Sequence, residues 1–478
     1  MGHEEKTVVI GAGITGLICA YYLQQWSLPV LLLEASNHPG GLITTIRRKG
    51  FLFETGPQCP RFNELLWKLI SELNLEREFV RGDPRAKRYI VKGGRLCRAP
   101  LSLSSLIGTR LLGLKSKFRI LSEPLRSSRP PDNEETVANF VIRKFGAEIL
   151  DYLVDPILST VFFGDARKMG MESAFPALVR WERESGSLAR GALATRRSRP
   201  RVIPSPGLPE QSRAAAGARL NVVDALPSLG TFRQGMGTLT GALAERLGGN
   251  ICFGARTESL SLARGNGQLE SIWKVRLAGG KEILAGNLVL SVPAFEAARL
   301  LTDTAAHLSS LLAAIPYAPM AVVSLGFDRS AVHHPLDGFG FMVPRREGMK
   351  TFCTTWNSSL FEGRAPEGKV LMTSYVEASP NGALLALSDD VLAQTVEAET
   401  EKILGVTGKP VERQVCNYPQ ALPQYNLGHE ERMAAIRAAL SGFSNLHLAG
   451  NYLNGRSIGD CAETGFRAAE SISFHFRR

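Results

Sequence analysis

Residues 6–16 read Lys6-Thr7-Val8-Val9-Ile10-Gly11-Ala12-Gly13-Ile14-Thr15-Gly16. The first half is a short β-branched run, which is typical of a buried parallel strand. The second half has the spacing G-x-G-x-x-G, and residues 17 to about 25 have the pattern of a following helix. In that context Gly11 permits a tight turn, Gly13 lets the backbone approach a pyrophosphate, and Gly16 lets the helix pack against the strand. The helix N-terminus offers free N–H groups to the same phosphates. This stretch therefore predicts a dinucleotide-binding βαβ unit.

The continuation of the chain favours FAD over NAD. A second apolar run from Pro29 to Leu33 ends in Glu34, whose carboxylate can accept hydrogen bonds from ribose hydroxyls. Gly40-Gly41 follow shortly afterwards. This extended signature resembles that of the large flavoprotein oxidase superfamily, in which such a glycine pair lets the backbone pass close to the cofactor.

A second glycine-rich turn lies near the other end of the chain. Leu446 to Gly450 form an apolar strand pattern, followed by the turn 451–461 and a helix predicted from about Ala462. A strand, a glycine-rich turn and a helix again point backbone N–H groups at a ligand. In the superfamily this segment holds the flavin end of FAD, so we expect a discontinuous cofactor domain.

Length and composition limit the remaining choices. The chain has 478 residues with 44% hydrophobic residues, so two or more structural units are expected. No apolar run reaches the about 18 residues of a transmembrane helix, and the N-terminus enters a strand without a signal segment. The seven cysteines are scattered, which indicates reduced thiols and no metal site. We therefore expect a cytoplasmic protein that can lie peripherally on a membrane.

The net charge of +11 admits several anionic partners. No nucleic-acid module or basic helix with interleaved aromatic residues is present, so nucleic acid is not expected. Two explanations of the positive charge stay open, namely binding to an anionic membrane surface and binding of an acidic substrate.

Between the two turns the pattern predicts several larger elements. Helices are expected over Leu101–Leu125 and Thr136–Val161, one buried strand over Ile283–Pro293, and sheet over Ala318–Tyr375. The segment Thr195–Gly217 is rich in Arg, Pro, Gly and Ser and is predicted to be a long loop.

The predicted fold class is mixed α/β and α+β. Its core is a discontinuous, Rossmann-like βαβ FAD-binding domain of the glutathione-reductase/amine-oxidase type, built from 1–89, 220–305 and 415–478. Residues 90–210 would form a helical, membrane-associated domain. Residues 306–414, with contributions from 55–89, would form a mixed-sheet substrate-binding domain.

Several further stretches, in order along almost the whole chain, resemble the oxygen-dependent protoporphyrinogen oxidases. They are Phe53-Glu54-Thr55-Gly56-Pro57, Ala86-Lys87-Arg88-Tyr89, Phe163-Gly164-Asp165, Glu182 to Leu188, Asp337 to Pro344 and Leu422 to His429. The resemblance implies hydride transfer from a porphyrinogen to non-covalent FAD, with O2 reoxidising the flavin. It also implies no protein catalytic residue beyond the flavin, a peripheral membrane location, a homodimer and hand-off of product to ferrochelatase.

The resemblance also implies the site residues. Arg88 would pair with a propionate, and Phe339, Met342 and Tyr375 would sandwich the macrocycle. A surface salt bridge is the alternative for Arg88, and core packing for the other three. The cofactor-binding residues are expected to be Gly11, Ala12, Gly13, Ile14, Thr15, Gly16, Glu34, Ala35, Gly40, Gly41, Leu42, Gly56, Pro57, Gln58, Thr257, Gly450, Asn451, Arg456, Ser457 and Ile458.

The chain departs from the family pattern at three places. Thr160 stands where relatives usually have Gly, Gln58 where they carry Asn or Arg, and Glu377-Ala378 where Gly-Gly often follows the pocket aromatic. Gln58 and Thr160 are expected to border the substrate. These departures affect substrate fit rather than the class of reaction.

Three other functions stay open. Coproporphyrinogen oxidation to coproporphyrin needs only a roomier or more basic pocket. A flavin amine oxidase usually carries a lysine on the strand matching Pro319–Val323, and this chain has none there. A non-catalytic FAD-binding protein would hold flavin without oxidising a porphyrinogen.

Overall fold

The computed structural model describes residues 6–198, 229–264, 271–377 and 388–476. Its strands, in chain order, are β1 Thr7–Ile10, β2 Val30–Leu33, β3 Thr45–Arg48, β4 Phe51–Glu54, β5 Phe79–Arg81, β6 Lys87–Lys92, β7 Arg95–Arg98, β8 Gly230–Phe232, β9 Ile251–Cys252, β10 Thr257–Arg264, β11 Ser271–Leu277, β12 Glu282–Ala285, β13 Asn287–Leu290, β14 Tyr317–Asp328, β15 Gly338–Met342, β16 Thr351–Thr355, β17 Lys369–Glu377, β18 Glu412–Pro423 and β19 Leu446–Leu448.

The helices connect and cover these strands. In chain order they are α1 Ile14–Gln25, α2 Glu64–Glu72, α3 Leu103–Gly108, α4 Leu114–Leu121, α5 Val137–Lys144, α6 Ala147–Ile149, α7 Asp155–Phe162, α8 Met171–Ala174, α9 Pro176–Ser185, α10 Leu188–Ser198, α11 Gly237–Leu247, α12 Ala294–Leu301, α13 Ala306–Ala313, α14 Asn357–Leu360, α15 Asp389–Leu404, α16 His429–Leu440 and α17 Ile458–Phe476.

A five-stranded parallel sheet forms the first layer, in the order β19-β13-β1-β2-β9. Alternate side chains of β1 enter opposite cores, because successive side chains of a strand point to opposite faces. Val9 packs with the core that contains α1 and α17, while Val8 and Ile10 pack with the core that contains α12 and α13. The sheet is therefore buried on both faces, and its strands come from both ends of the chain.

A seven-stranded mixed sheet forms the second layer, in the order β18-β14-β17-β16-β15-β6-β7. One face carries Ala321, Val323, Leu325 and Phe327 of β14, which pack against the apolar side of α15. The opposite face carries Met320 and Val322 of β14. This second face carries the side chains of the candidate site.

The helices from α3 to α9 form a third unit, with its own apolar core around Leu111, Phe140, Leu150 and Leu158. No helix within the described ranges is long and apolar enough to cross a membrane.

Two predicted domain boundaries fall inside strands. Residues 89 and 90 are neighbours in β6, and residue 415 lies within β18; both strands belong to the seven-stranded sheet. The domain division stays a prediction.

Several predicted elements were wrong in extent. Leu101–Leu125 contains α3 and α4, interrupted where Leu111 and Leu112 turn into the core. Thr136–Val161 is broken at Gly146, whose φ of +94° ends α5.

Ile283–Pro293 is not one strand, since the chain leaves β12 at Gly286 and enters β13 in a different sheet. The helix predicted from Ala462 begins at Ile458. Thr195 to Ser198 belong to α10 rather than to a loop, and the rest of that predicted loop lies outside the described residues.

Candidate functional site

The first glycine-rich turn has the geometry that its sequence predicts. Gly11 has a φ of +103°, which a residue with a side chain rarely adopts. A Cβ on Gly16 would lie 2.0 Å from the carbonyl oxygen of Gly11, so only glycine lets α1 approach β1 this closely. A Cβ on Gly13 would meet nothing within 4 Å. The backbone of Gly13 therefore borders open space beside the N-terminus of α1, where Ile14 and Thr15 form the first turn.

The carboxylate of Glu34 closes this turn from the neighbouring strand. It accepts hydrogen bonds from the amide of Ala12 at 2.7 Å, and from the amide and hydroxyl of Ser36 at 2.8 Å each. Ala35 between them is exposed. The acidic residue is therefore fixed next to the glycine-rich turn, and its contact with a ribose stays a prediction.

The glycine pair Gly40-Gly41 packs on the same turn. The amide of Gly40 donates to the carbonyl of Ala12 at 2.8 Å, and a Cβ on Gly41 would lie 3.6 Å from the Cα of Gly13. Leu42 continues this contact, since its carbonyl oxygen would be 2.3 Å from a Cβ on Gly56. The turn 11–16, the segment 40–42 and Gly56-Pro57 thus form one continuous backbone surface.

The second glycine-rich turn joins this surface through its helix. The hydroxyl of Thr15 in α1 donates to the carbonyl of Cys461 in α17 at 3.1 Å. Gly450 follows β19 after Ala449 and has a φ of +156°. Ser457 and Asp460 then cap α17 reciprocally: the Asp460 carboxylate accepts from the Ser457 amide at 3.0 Å, and the Ser457 hydroxyl accepts from the Asp460 amide at 3.1 Å. Ile458 is the first helical residue and is buried.

Thr257 lies at the start of β10, close to the Glu34 segment. The amide of Ala255 donates to the carbonyl of Glu34 at 2.8 Å, which fixes the approach to Thr257. The side-chain oxygen of Thr257 is buried without a hydrogen-bond partner. Such an orphaned polar atom is suited to a ligand, and contact with adenine stays a prediction.

A row of side chains crosses the second sheet on the face opposite α15. The strand register aligns Val322, Tyr375, Cys353 and Met342 across β14, β17, β16 and β15. Ile90 of β6 continues the row. Tyr375, Cys353 and Met342 belong to one apolar cluster, so the register brings two of the predicted pocket residues together.

Arg88 and Phe339 meet one row further along the same sheet. A register shift between Gly338 and Gly340 places Phe339 in a bulge opposite Arg88. The Arg88 guanidinium lies 5.2 Å from the centre of the Phe339 ring. No carboxylate forms an ion pair with Arg88 in the described part of the chain, so the structure does not support the salt-bridge alternative.

Gln58 and Tyr375 connect the sheet with the glycine-rich surface. The Tyr375 hydroxyl donates to the carbonyl of Gly56 at 2.9 Å, and the Gln58 amide donates to the same carbonyl at 3.3 Å. Burial raises the pKa of Tyr375 well above its ordinary value, so the phenol stays neutral. Thr160 lies on the other side of the row, where its hydroxyl donates to the carbonyl of Pro156 and lies beside the Cys353 thiol.

Two residues of this region were missed by the sequence interpretation. Phe163, in a left-handed conformation, places its ring 5.1 Å from that of Phe352 and 5.6 Å from that of Tyr375. The Tyr425 hydroxyl donates to the carbonyl of Asn451 and accepts from the amide of Gly455, which fixes the second turn. Both lie in stretches that carry the family resemblance, and that was the available signal.

The residues fit a dinucleotide with a ring system at its far end. The open side of Gly13 suits a phosphate, because a Cβ there would meet nothing. At two separate points of this surface, polar atoms of Thr257 and Arg456 are buried without a hydrogen-bond partner. These features agree with an extended FAD that runs from the first turn to the second.

Comparison with known proteins agrees with this arrangement. The model of the family "Flavin containing amine oxidoreductase" matches residues 14–473. The chain is 31% identical to protoporphyrinogen oxidase 1 of Spinacia oleracea chloroplasts, covering 98% of this chain and 84% of the relative. It is 25% identical to the coproporphyrinogen III oxidase of Bacillus subtilis strain 168, covering 99% of both.

A crystal structure from Exiguobacterium sp. 255-15, provisionally named a protoporphyrinogen oxidase, superposes with a TM-score of 0.80 at 25% identity, covering 98% of this chain and 99% of that one. The chain therefore belongs to the flavin-containing amine oxidoreductases, among the relatives that include the protoporphyrinogen and coproporphyrinogen oxidases.

Proposed function

We propose that this protein oxidises protoporphyrinogen IX to protoporphyrin IX in porphyrin biosynthesis, using non-covalent FAD and molecular oxygen. The observation that carries the proposal is Arg88, a guanidinium that has no ion-pair partner in the described chain and lies over Phe339. It stands on the face of the sheet that also carries Met342 and Tyr375. A cation beside large apolar side chains suits a flat macrocycle with carboxylate arms.

The chain's own residues would bind FAD from two sides. The turn 11–16 and Glu34 would take the pyrophosphate and ribose, and the turn 450–458 would take the flavin end. When bound, the flavin supplies the hydride acceptor. Cys461 is buried within α17 and burial raises the pKa of its thiol to about 12, which supports non-covalent binding.

The row across the sheet would orient the substrate. Met342, Cys353 and Tyr375 offer an apolar surface, and the ring of Phe163 borders Tyr375. Such a surface excludes water and holds the reacting carbon close to the flavin. Arg88 would hold one propionate and so set the rotation of the macrocycle.

Coproporphyrinogen III is the second candidate substrate. Burial lowers the pKa of Arg88; Cys59 and the carboxylate of Asp83 act to raise it, and the positive charge of Arg61 acts to lower it. Arg61 is therefore a second cation close to Arg88, and it supports this substrate. Two neighbouring cations suit a substrate with additional carboxylates.

The test is an aerobic assay of the yellow protein with both porphyrinogens, each prepared anaerobically. Porphyrin fluorescence and hydrogen peroxide are followed in parallel. We expect turnover of protoporphyrinogen at the higher kcat/KM, and a reversed preference would assign coproporphyrinogen instead. Protein that retains flavin and oxidises neither substrate would refute the proposal. The remaining interpretations would then be an amine oxidase and a non-catalytic flavoprotein.

We also propose that the protein lies peripherally on an anionic membrane surface. On α3, α4 and the turn after them, five apolar side chains are exposed by 47% to 86%: Ile107, Leu114, Phe118, Leu121 and Leu125. Lys115, Lys117 and Arg119 accompany them on α4. Exposed apolar residues beside basic ones are typical of helices that lie in a membrane interface.

A further inference from the structure

Arg456 lies in the second glycine-rich turn, two residues before α17. Its Nη1 donates to the carbonyl oxygens of Phe162 and Pro423 at 3.0 Å each. Its guanidinium carbon lies 4.5 Å from the ring centres of both Phe162 and Tyr425. The side chain therefore joins the turn to Phe162, the last residue of α7. The next residue of the chain, Phe163, borders Tyr375 of the apolar row.

The rest of this guanidinium is unsatisfied. Nε and Nη2 of Arg456 are buried and have no hydrogen-bond partner among the described residues. The acid nearest in sequence, Asp460, is engaged by the amide and hydroxyl of Ser457. Burial lowers the pKa of Arg456 to about 10, so the group remains a cation at neutral pH. The charge of Asp460 acts on Arg456 through space, but the two buried donors stay unmatched, and this favours an anionic ligand at that point.

The neighbouring rings provide no negative charge. His429 stacks on Tyr425 with ring centres 4.1 Å apart, and burial lowers its pKa to about 4, so the imidazole is neutral. Burial also raises the pKa of Tyr425, so its phenol is neutral too. The only other positive feature of the turn is the N-terminus of α17, which also favours an anion.

We propose that Arg456 stabilises the negative charge that the flavin acquires when it accepts a hydride. The substrate C–H bond breaks, and its electron pair moves with the hydrogen to the flavin, where an N–H bond forms. The flavin thereby gains one net negative charge. The oxidised substrate then releases a proton to solvent. This inference rests on the flavin, not on which porphyrinogen is the substrate.

The experiment measures the reduction potential of bound FAD in the intact holoprotein without any porphyrinogen. Arg456→Met should weaken the binding of reduced relative to oxidised flavin at least tenfold, which lowers the two-electron potential by about 30 mV. Arg456→Lys should recover most of the change, because it restores the charge. Arg183→Met, which removes an exposed cation of α9, should leave the potential unchanged.

An Arg456→Met protein that holds FAD at the parent potential would overturn the inference. An unchanged potential together with a raised KM for porphyrinogen would also overturn it, by assigning Arg456 to a substrate carboxylate. If Arg456→Met does not retain FAD, Arg456→Gln is measured in its place. A potential about 30 mV or more below that of the parent agrees with the inference, and the parent potential contradicts it.

Discussion

The glycines of the first turn differ in what a methyl group would meet, and this separates folding from cofactor binding. At Gly16 the methyl group would collide with the carbonyl oxygen of Gly11 and, at 2.4 Å, with the hydroxyl of Ser291. At Gly13 it would meet open space, and the φ of −67° suits alanine. The protein itself therefore has room for a side chain at Gly13, whereas a pyrophosphate bound there would collide with that side chain.

Gly13→Ala should keep the stability of the FAD-free protein and weaken FAD binding at least tenfold, or about 1.4 kcal/mol. Urea unfolding of the apoprotein and flavin titration measure the two quantities separately. Gly241→Ala is the matched control, since Gly241 lies exposed inside α11 with nothing within 4 Å. It should raise stability by up to about 1 kcal/mol without affecting FAD. Equal FAD affinity in Gly13→Ala and the parent would contradict the assigned turn.

Arg88→Ala should lower kcat/KM for the porphyrinogen while flavin content stays intact. Loss of a charged hydrogen bond costs about 1.5–3 kcal/mol, which corresponds to roughly a 10- to 150-fold loss. Steady-state kinetics and the flavin absorbance ratio measure the outcome. Arg85→Ala, an exposed arginine of the same segment, is the control and should change neither. Loss of flavin in Arg88→Ala would show that the residue serves the cofactor.

Single residues of the cofactor turns were predictable, because their roles are local. Gly11, Gly16 and Glu34 act within one βαβ unit, where spacing alone fixes their geometry. The contact of Phe339 with Arg88 depends on a bulge between two strands distant in sequence. No local pattern of the chain encodes that bulge, and only the family resemblance indicated the pair.

At the scale of elements, α4 presents an apolar side to solvent. Phe118 is 71% exposed and Leu125, just after the helix, is 86% exposed. Replacing both by Glu should reduce sedimentation with anionic lipid vesicles at least tenfold and leave turnover of dissolved substrate unchanged. Val391→Glu, at an apolar position 40% exposed on α15, is the control and should bind vesicles like the parent. Undiminished binding of the double variant would refute the membrane surface.

A buried set of charges ties α5 to α9. Glu182 is fully buried and accepts from Arg143 at 2.8 and 3.0 Å, with Lys144 at 3.1 Å. Burial alone would raise its pKa, but hydrogen bonds from Arg143, Ser128 and Lys144 lower the pKa to about 2 from an ordinary value of 4.5. Since the pKa is depressed in the folded state, this stabilisation is complete above the ordinary value and is lost as pH falls toward 2.

Glu182→Gln should therefore destabilise the helical unit by about 1–3 kcal/mol at neutral pH, because Arg143 and Lys144 lose the buried carboxylate that they share and keep only Glu135 and Glu123 as partners. The difference from the parent should shrink as the pH is lowered below the ordinary carboxyl range. Denaturant unfolding across pH measures both. Glu172→Gln, which breaks an exposed pair with Arg183, should cost less than about 1 kcal/mol. Equal costs for the two variants would contradict the role of the buried set.

The helical unit was also the least predictable part of the chain. Its apolar pattern suggested two long helices, but burial of Leu111 and Leu112 and the left-handed Gly146 divide them into short ones. These interruptions are tertiary effects, since the buried leucines gain more from the core than the helix gains from continuity. The strands of the parallel sheet were predictable because both faces are buried and the runs are continuously apolar.

At the scale of the molecule, the two ends of the chain meet in one sheet and one helix pair. β19 completes the sheet that β1 begins, and α17 packs against α1 through Thr15 and Cys461. The two glycine-rich turns made this meeting predictable, because each is predicted to provide half of a dinucleotide site. The alignment of Tyr375, Cys353 and Met342 was not predictable, since strand register depends on long-range pairing.

The central claim is that a porphyrinogen bound against the second sheet delivers hydride to flavin held by the first. An anaerobic mixing experiment tests it most directly, with oxidised holoprotein, protoporphyrinogen and no oxygen. We predict that the flavin absorbance bleaches as porphyrin fluorescence appears, and that at substrate below saturation the bleaching is roughly 10- to 150-fold slower in Arg88→Ala. Flavin that remains oxidised in the parent, while either porphyrinogen is present in excess, would contradict the account.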